Sequence, residues 1–173
     1  GMLTVANGFE SGATGDAAWE LRGSVVASFT RVHSKNANSV FIDVADNAVV
    51  SMKRSTHRNG GANMGLAQVA GAARMSAEGV KALKATHGGI GRALVTLRGQ
   101  GFLAMRGSTA STGGDQLVDL SQATAEVSLE VVDVVAMGGS GLDLTGDGIA
   151  SVNSVSGDSG SDMIGEDGSF NQG

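Results

Sequence analysis

The sequence predicts an all-β fold, a parallel β-helix or β-solenoid with coils of about 22 residues. Three observations support this prediction. The 173 residues include 28 Gly, no Pro, no Cys and only 3% aromatics, so small and medium apolar side chains must fill the core. Short β-branched runs alternate with Gly, Asn and Asp turns. Similar segments also recur at a fixed spacing, which is typical of stacked coils.

The first third of the chain reads as short strands separated by polar turns. The strand candidates are residues 3–6, 24–32, 40–44 and 49–53. The turns between them are rich in Asn, Asp and Gly, which tolerate the backbone conformations that tight corners need. A chain of this pattern places one residue in two toward a narrow interior.

The recurring segments lie 22 residues apart. The columns pair Met75 with Leu97, and Leu83 with Met105, Val127 and Ile149. One coil cannot bury its inner face alone, so stacking of successive coils completes the core. Another all-β fold remains an alternative to the β-helix.

Residues 64–86 support a second alternative, an α+β fold with a helix in this stretch. Leu66, Val69, Ala73, Val80 and Leu83 fit helical spacing, and the Gly pair at 88–89 could end such a helix. Internal glycines weaken a helix by up to ~1 kcal/mol each relative to Ala. The two interpretations stay open at the level of sequence.

The clearest strand pattern lies at residues 125–136, where Val127, Leu129 and Val131 alternate with polar residues. Gly, Ser and Asp dominate from Gly138 onward. We therefore expect one β-rich domain at residues 1–155. We expect an acidic Gly/Ser/Asp-rich tail or assembly segment at residues 156–173.

Charge is distributed unevenly along the chain. All 12 Lys and Arg residues lie at or before Arg106, whereas residues 107–173 carry 11 acidic residues and no basic one. Opposite charge on two ends can steer head-to-tail contacts between copies. The residues proposed for such contacts are Lys53, Arg54, Arg58, Asp158, Asp162, Glu166 and Asp167.

A candidate calcium site lies at Asp143, Thr145 and Asp147, followed by Gly148. Oxygen ligands at alternating positions with a following Gly resemble the start of a calcium loop. Ser154 stands where such a loop would supply a bidentate Glu. An acidic β-turn without metal is the other interpretation, and no other cofactor is predicted.

The basic run from Lys53 to Arg58 could contact phosphate or an acidic polymer or glycan. It has no interleaved aromatics, and the net charge of −5 makes nucleic acid an unexpected partner. The three histidines are scattered and are expected on surface turns. No apolar run reaches the ~20 residues of a membrane-spanning helix, and no signal peptide is expected at the start.

These features predict a structural, self-assembling protein, such as a subunit of a filament, fibre or surface layer. Head-to-tail contacts would join a basic front to an acidic back of the next copy. The alternative is a carbohydrate- or surface-binding adhesive module that holds calcium. A polysaccharide lyase or hydrolase is a weaker alternative, because sequence motifs for catalysis are lacking, and we expect no enzyme. An extracellular or cell-surface location fits either function.

Overall fold

A computed structural model describes the backbone of residues 1–11, 17–36, 40–59, 66–84, 94–111, 118–123, 126–136, 142–145, 149–159 and 164–167. Side-chain surroundings are described for residues 1–8, 17–35, 40–58, 66–82 and 94–109, and for residues 118, 126–128, 130 and 151. This part of the chain forms eighteen β-strands and no helix, and every strand pairing in it is parallel. The prediction of a parallel β-solenoid is confirmed.

The strands form two sheets. Sheet A bends at a corner into two parts, which we call its first face and its second face. Three long strands run across both parts. Its first face holds β1 (Met2–Ala6), β4 (Val26–Thr30), β7 (Val49–Lys53) and β10 (Arg74–Glu78). Its second face holds β2 (Phe9–Ser11), β5 (His33–Asn36), β8 (Thr56–Asn59) and β11 (Lys81–Lys84). The strands that cross both faces are β13 (Phe102–Ser111), β15 (Glu126–Ala136) and β17 (Ile149–Ser159).

Sheet B closes each coil. Its strands are β3 (Ala17–Leu21), β6 (Val40–Val44), β9 (Ala67–Val69), β12 (Val95–Gly99), β14 (Val118–Ala123), β16 (Leu142–Thr145) and β18 (Ile164–Asp167). In each coil the chain therefore passes through the first face of sheet A, then its second face, then sheet B. The next coil begins again on the first face.

The coil length is close to 24 residues and varies. Equivalent positions on the first face follow one another at intervals of 23 to 28 residues, in the register Met2, Val26, Val49, Arg74, Phe102, Glu126 and Ile149. The predicted 22-residue columns are wrong in register. Met75 lies on sheet A beside Leu103, whereas Leu97 lies on sheet B beside Val69.

The helix considered for residues 64–86 does not form. The described part of this stretch contains β9, β10 and β11 instead. Gly71 and Gly79 both have positive φ, at 67° and 60°, and each ends a strand segment by turning the chain. Of the apolar residues that fit helical spacing, Val69 is an inward position of β9, whereas Leu66, Ala73 and Val80 are buried in the segments beside the strands.

The core is a column of inward side chains along the axis. In β10, Met75 and Ala77 are buried while Arg74, Ser76 and Glu78 are exposed, as alternation along a strand requires. The first coils add a run of aromatic contacts. Phe29 packs edge-on between Trp19 and Phe41, with ring centroids 5.4 Å and 5.8 Å apart.

Two of the three corners use a left-handed backbone in coil after coil. The first corner joins the two faces of sheet A and contains Asn7, Arg31, Arg54, Gly79 and Gly107 at positive φ. The third corner joins sheet B to the next coil and contains Gly23, Asp46, Gly71 and Gly99 at positive φ. A Cβ on Gly71 would lie 3.1 Å from the Asp46 nitrogen, so the stacked corners leave little room there.

Length variation is confined mainly to the second corner, between the second face of sheet A and sheet B. The first corner takes two residues in each of the first four coils, for example residues 31–32 and 54–55. The second corner takes from three residues, at 37–39, to ten, at 85–94. Coils of different length can therefore keep the same strand register.

The distribution of charge along the stack of coils differs from the basic front and acidic back that the sequence suggests. Residues 49–101, which make up the third and fourth coils, carry eight basic residues and one acidic residue. Residues 1–25, in the first coil, carry three acidic residues and only Arg22 as a basic one. The positive charge thus lies around the middle of the stack rather than at its first end.

The boundary at residue 155 falls within β17, which continues to Ser159, and β18 follows at Ile164–Asp167. The assignment of residues 156–173 as a separate tail stays a prediction. Within the described residues, the model contains no helix that is long and apolar enough to cross a membrane.

Candidate functional site

A groove of about 360 Å³ lies on the outer surface of the first face of sheet A, and we call it the hydroxyl groove. It crosses β7, β10, β13 and β15, so its long direction follows the axis of the stack. Strands are spaced by ~4.8 Å, which makes the groove ~14 Å long from the first of these strands to the last. An extended ligand would contact one strand per step.

Small side chains, three serines and one alanine, form the floor of the hydroxyl groove. Ser51, Ser76, Ala104 and Ser128 occupy one register position in four successive strands. The same column continues beyond the groove to Thr4 and Ser28 on one side and Ser151 on the other. The floor is flat because no residue of the column is large.

Charged side chains of alternating sign form one wall. The register places Lys53, Glu78, Arg106 and Glu130 in successive strands, two residues after the floor positions. Lys53 Nζ lies 3.1 Å from Glu78 Oε2, and Arg106 Nη2 lies 3.3 Å from Glu130 Oε1. These exposed pairs balance the charge of the wall and leave the groove without net charge.

An aromatic contact lies on the same face, two residues before the floor. The guanidinium carbon of Arg74 lies 4.1 Å from the ring centroid of Phe102, a cation–π geometry. Phe102 is half-buried under this arginine. Among the described residues, the outer surface of this face therefore offers one ring, and a cation already covers it.

The basic residues predicted for interaction fall on different surfaces. Lys53 lies on the groove wall, Arg54 occupies the first corner with φ of 48°, and Arg58 is exposed on β8 of the second face. Sequence order alone could not separate them, because the chain turns at Arg54. All three are nevertheless accessible.

The acidic residues predicted for interaction or calcium binding belong to the last coils. Asp158 is part of β17, and Glu166 and Asp167 are part of β18. Asp143 and Thr145 are part of β16. Asp147 and Asp162 lie outside the described residues, and within the described residues no cluster of metal-ligating side chains occurs.

The expectation that the histidines lie on surface turns is wrong for His57. Its side chain extends from β8 into the core, where Nδ1 lies 2.7 Å from Ser34 Oγ and the ring centroid lies 4.1 Å from that of Phe41, with the two rings tilted by 42°. Burial, reinforced by the charge of His33, lowers the pKa of His57 to about 3. His33 is exposed, but it lies on β5 rather than on a turn, and His87 lies outside the described residues.

Searches of protein-family models, curated proteins and solved structures find no match to this chain. Its function must therefore be argued from its own residues. The floor of the hydroxyl groove was missed by the sequence analysis, because Ser51, Ser76 and Ser128 align only once the true register is known.

Proposed function

We propose that this solenoid is a carbohydrate-binding, adhesive module that holds an extended polysaccharide chain in the hydroxyl groove. The observation that supports this proposal is the repetition of one chemistry along the groove. Floor hydroxyls recur in β7, β10 and β15, with Ala104 of β13 between them, and every one of these strands adds one charged wall residue, at a spacing of ~4.8 Å. A polymer of similar repeat can place a polar group beside each strand.

The polar groups of the groove suit a neutral sugar chain. A serine hydroxyl both donates and accepts a hydrogen bond, as a sugar hydroxyl does. Glu78 and Glu130 can accept hydrogen bonds, while Lys53 and Arg106 can donate them. The balanced charge of the wall favours a neutral polysaccharide over a strongly charged one.

The scarcity of free aromatic surface sets the expected strength of binding. Phe102 lies on this face with Arg74 over its ring, and the described residues that line the groove include no aromatic side chain. Stacking on sugar rings therefore contributes little, and affinity must come from many shared hydrogen bonds of ~1 kcal/mol each. Binding should be weak for short oligosaccharides and rise with chain length until the groove is full.

Affinity electrophoresis in gels that contain β-1,3-glucan, xylan or galactomannan tests the proposal. At least one of these neutral polysaccharides should retard the protein, and Ser76→Trp should abolish the retardation by filling the groove floor. Gln68→Trp, on the exposed surface of β9 in sheet B, is the matched control. The proposal fails if no gel retards the protein or if both variants behave alike.

The same samples can be assayed for new reducing ends. We expect none, since the chain is predicted not to be an enzyme. Release of reducing ends that Ser76→Trp abolishes would instead support the weaker alternative of a polysaccharide lyase or hydrolase. The extracellular or cell-surface location stays a prediction that follows from a glycan ligand.

Self-assembly into a filament, fibre or surface layer is the second candidate, and the edge of β1 favours it. Among the described strands, β1 pairs only with β4, so its other edge is open. Its inward residues Leu3 and Val5 are only half-buried, and Met2 is 86% exposed. An open edge beside apolar surface can pair with a strand of another copy.

The charge of the coils suggests what would drive such assembly. Residues 1–25 and 102–173 both carry net negative charge, so the first coil does not present a basic end to the acidic last coils. Strand pairing and burial of Leu3 and Val5 would then drive head-to-tail contact, with charge opposing it. We expect assembly to increase with salt, because salt screens repulsion.

A proline at Thr4 tests this candidate directly. The Gly1 carbonyl accepts from Val26 and the Asn7 amide donates to Thr30, so odd-numbered residues of β1 bond to β4. The Thr4 amide therefore faces the open edge. Thr4→Pro should prevent assembly measured by sedimentation velocity and electron microscopy, whereas Thr4→Val should not. A protein that stays monomeric at high concentration across a salt series would refute the candidate.

A further inference from the structure

Six exposed side chains form a cluster of positive character on the second face of sheet A and its first corner, and we call it the basic strip. Its members are Arg31, His33, Lys35, Arg54, Arg58 and Lys81. They belong to the second, third and fourth coils, on or beside β5, β8 and β11. The strip lies around the corner from the hydroxyl groove.

Strand register brings these charges close together. Lys35 is the register partner of Arg58, and His33 aligns with Thr56, which aligns with Lys81. Neighbouring strands are ~4.8 Å apart, so Lys35 and Arg58 carry like charges on directly adjacent backbone positions. The strip thus accepts an electrostatic cost in the unbound protein.

The adjacent groove wall shows that this fold can place opposite rather than like charges on neighbouring strands. On the wall, Lys53 pairs with Glu78 and Arg106 pairs with Glu130 in alternating sequence. In the strip, by contrast, no carboxylate of the described residues lies within salt-bridge distance of Lys35, Arg54, Arg58 or Lys81. Charge of one sign on three successive coils, with no carboxylate partner among the described residues, suits an anion from outside the chain.

The backbone at the first corner provides an independent observation. Arg31 and Arg54 have φ of 53° and 48°, whereas the two following coils place Gly79 and Gly107 at the same corner. A left-handed conformation costs a non-glycine residue ~1–2 kcal/mol. Arg31 and Arg54 therefore adopt a backbone conformation that is unfavourable for arginine, and each adds a cation beside the second face. Backbone strain of this kind often accompanies binding function.

We propose that the basic strip binds an acidic polysaccharide whose carboxylate or sulfate groups follow the axis of the stack. The strip offers cations at intervals of one coil, which matches a ligand that carries charge in every sugar repeat. Binding to single-stranded nucleic acid normally needs aromatic side chains on which bases stack. The described exposed residues of β5, β8 and β11 include no Phe, Tyr or Trp. The inference concerns a different surface from the hydroxyl groove and does not depend on it.

Binding of polygalacturonate and of heparin to the whole chain, measured across a salt series, tests the proposal. Both should bind at low salt, and affinity should fall with increasing salt because bound counterions are released. Neutral dextran should not bind to the strip. The double variant R54E/R58E should weaken both interactions by at least about tenfold, since it reverses two central charges.

Matched variants make the result specific. R98E makes the same kind of charge change at an exposed residue of sheet B and should alter affinity by less than about twofold. R54K/R58K should retain most of the binding. Ser76→Trp should bind acidic polysaccharides normally, which separates this proposal from that for the groove. Urea unfolding of each variant establishes that it is folded.

Three outcomes would overturn the proposal. The first is no binding of either polysaccharide at low salt. The second is an equal loss of binding in R98E and R54E/R58E, which would mean that net charge alone is responsible. The third is tighter binding of single-stranded DNA or of phosphatidylserine vesicles than of either polysaccharide under the same conditions, which would assign the strip to another class of ligand.

Discussion

Ser34 Oγ lies 2.7 Å from His57 Nδ1 between neighbouring coils, in the interior of the solenoid. Both side chains are buried, and the His57 ring also stacks on Phe41. His57 Nε2 has no hydrogen-bond partner among the described residues. A polar pair thus occupies an inward position of two neighbouring coils, and its hydrogen bond links those coils.

This pair should make folding sensitive to acid. Burial lowers the pKa of His57 to about 3, below the ordinary value of 6.5, so the unfolded chain binds a proton more readily than the folded one. The contribution of neutral, buried His57 to the free energy of unfolding is therefore complete above pH 6.5 and is lost as pH falls toward 3. The loss approaches ~1.4 kcal/mol per pH unit within this window.

Urea unfolding at several pH values between 7 and 4 measures this effect. His57→Asn cannot take up the proton, so its stability should fall less steeply with acid than that of the original chain. His33→Gln, at an exposed histidine of the same face, should keep the steep dependence. Parallel pH curves for His57→Asn and the original chain would contradict the assignment to His57.

The aromatic contacts of the first coils should carry much of their stability. Phe29 is fully buried between Trp19 and Phe41, and Phe29→Ala is expected to lower the free energy of unfolding by ~3–5 kcal/mol. Val26 lies in the same strand but faces outward and is 51% exposed. Val26→Ala should change the unfolding free energy by less than ~0.5 kcal/mol. Similar losses for both variants would contradict the inward and outward assignment of β4.

Substitutions of Gly79 in the first corner should change the free energy of unfolding according to how well the new residue adopts a positive φ. Gly79 has φ of 60°, and an added Cβ would have room, since its nearest neighbour is Arg54 Cγ at 3.9 Å. Gly79→Ala should therefore cost ~1–2 kcal/mol through conformation alone. Gly79→Asn should cost less, because Asn tolerates this region, as Asn7 does at the equivalent corner. Equal melting temperatures for the two variants would contradict this explanation.

Calcium remains a proposal for the acidic end. Asp143 lies in register with Asp119 of β14, and Thr145 closes β16 two residues later. Calcium should raise the melting temperature, and a chelator should reverse the rise, because a ligand that binds only the folded state stabilises it. The variant D143N/D147N should lose the shift, and D133N should keep it. An unchanged melting temperature with calcium would remove the site.

The fold class was predictable from sequence because it depends on local features. Short β-branched runs and Gly or Asn corners are visible without knowing which residues meet. Register was not predictable, because inward positions of both sheets carry the same residue types. Met75 of sheet A and Leu97 of sheet B are both buried aliphatic residues, so a spacing of 22 looked regular. The long second corner of the fourth coil, residues 85–94, shifts the true spacing to 28.

The candidate surfaces were predictable only in part. The basic run from Lys53 to Arg58 is evident in the sequence, but its division between two faces depends on the turn at Arg54. Lys35 and Lys81 join Arg58 only through strand pairing. The burial of His57 could not be predicted from sequence either, because its basic neighbour Arg58 points outward and the inward position is evident only from strand pairing.

The variable second corner has a practical consequence. Each coil delivers one strand to sheet B whether three or ten residues precede it, so guest peptides inserted between β11 and β12 should leave the stack intact. Inserts after β5, β8 and β11 would follow strands that are stacked at intervals of ~4.8 Å. The chain could therefore serve as a scaffold for displaying foreign epitopes in a closely spaced linear array.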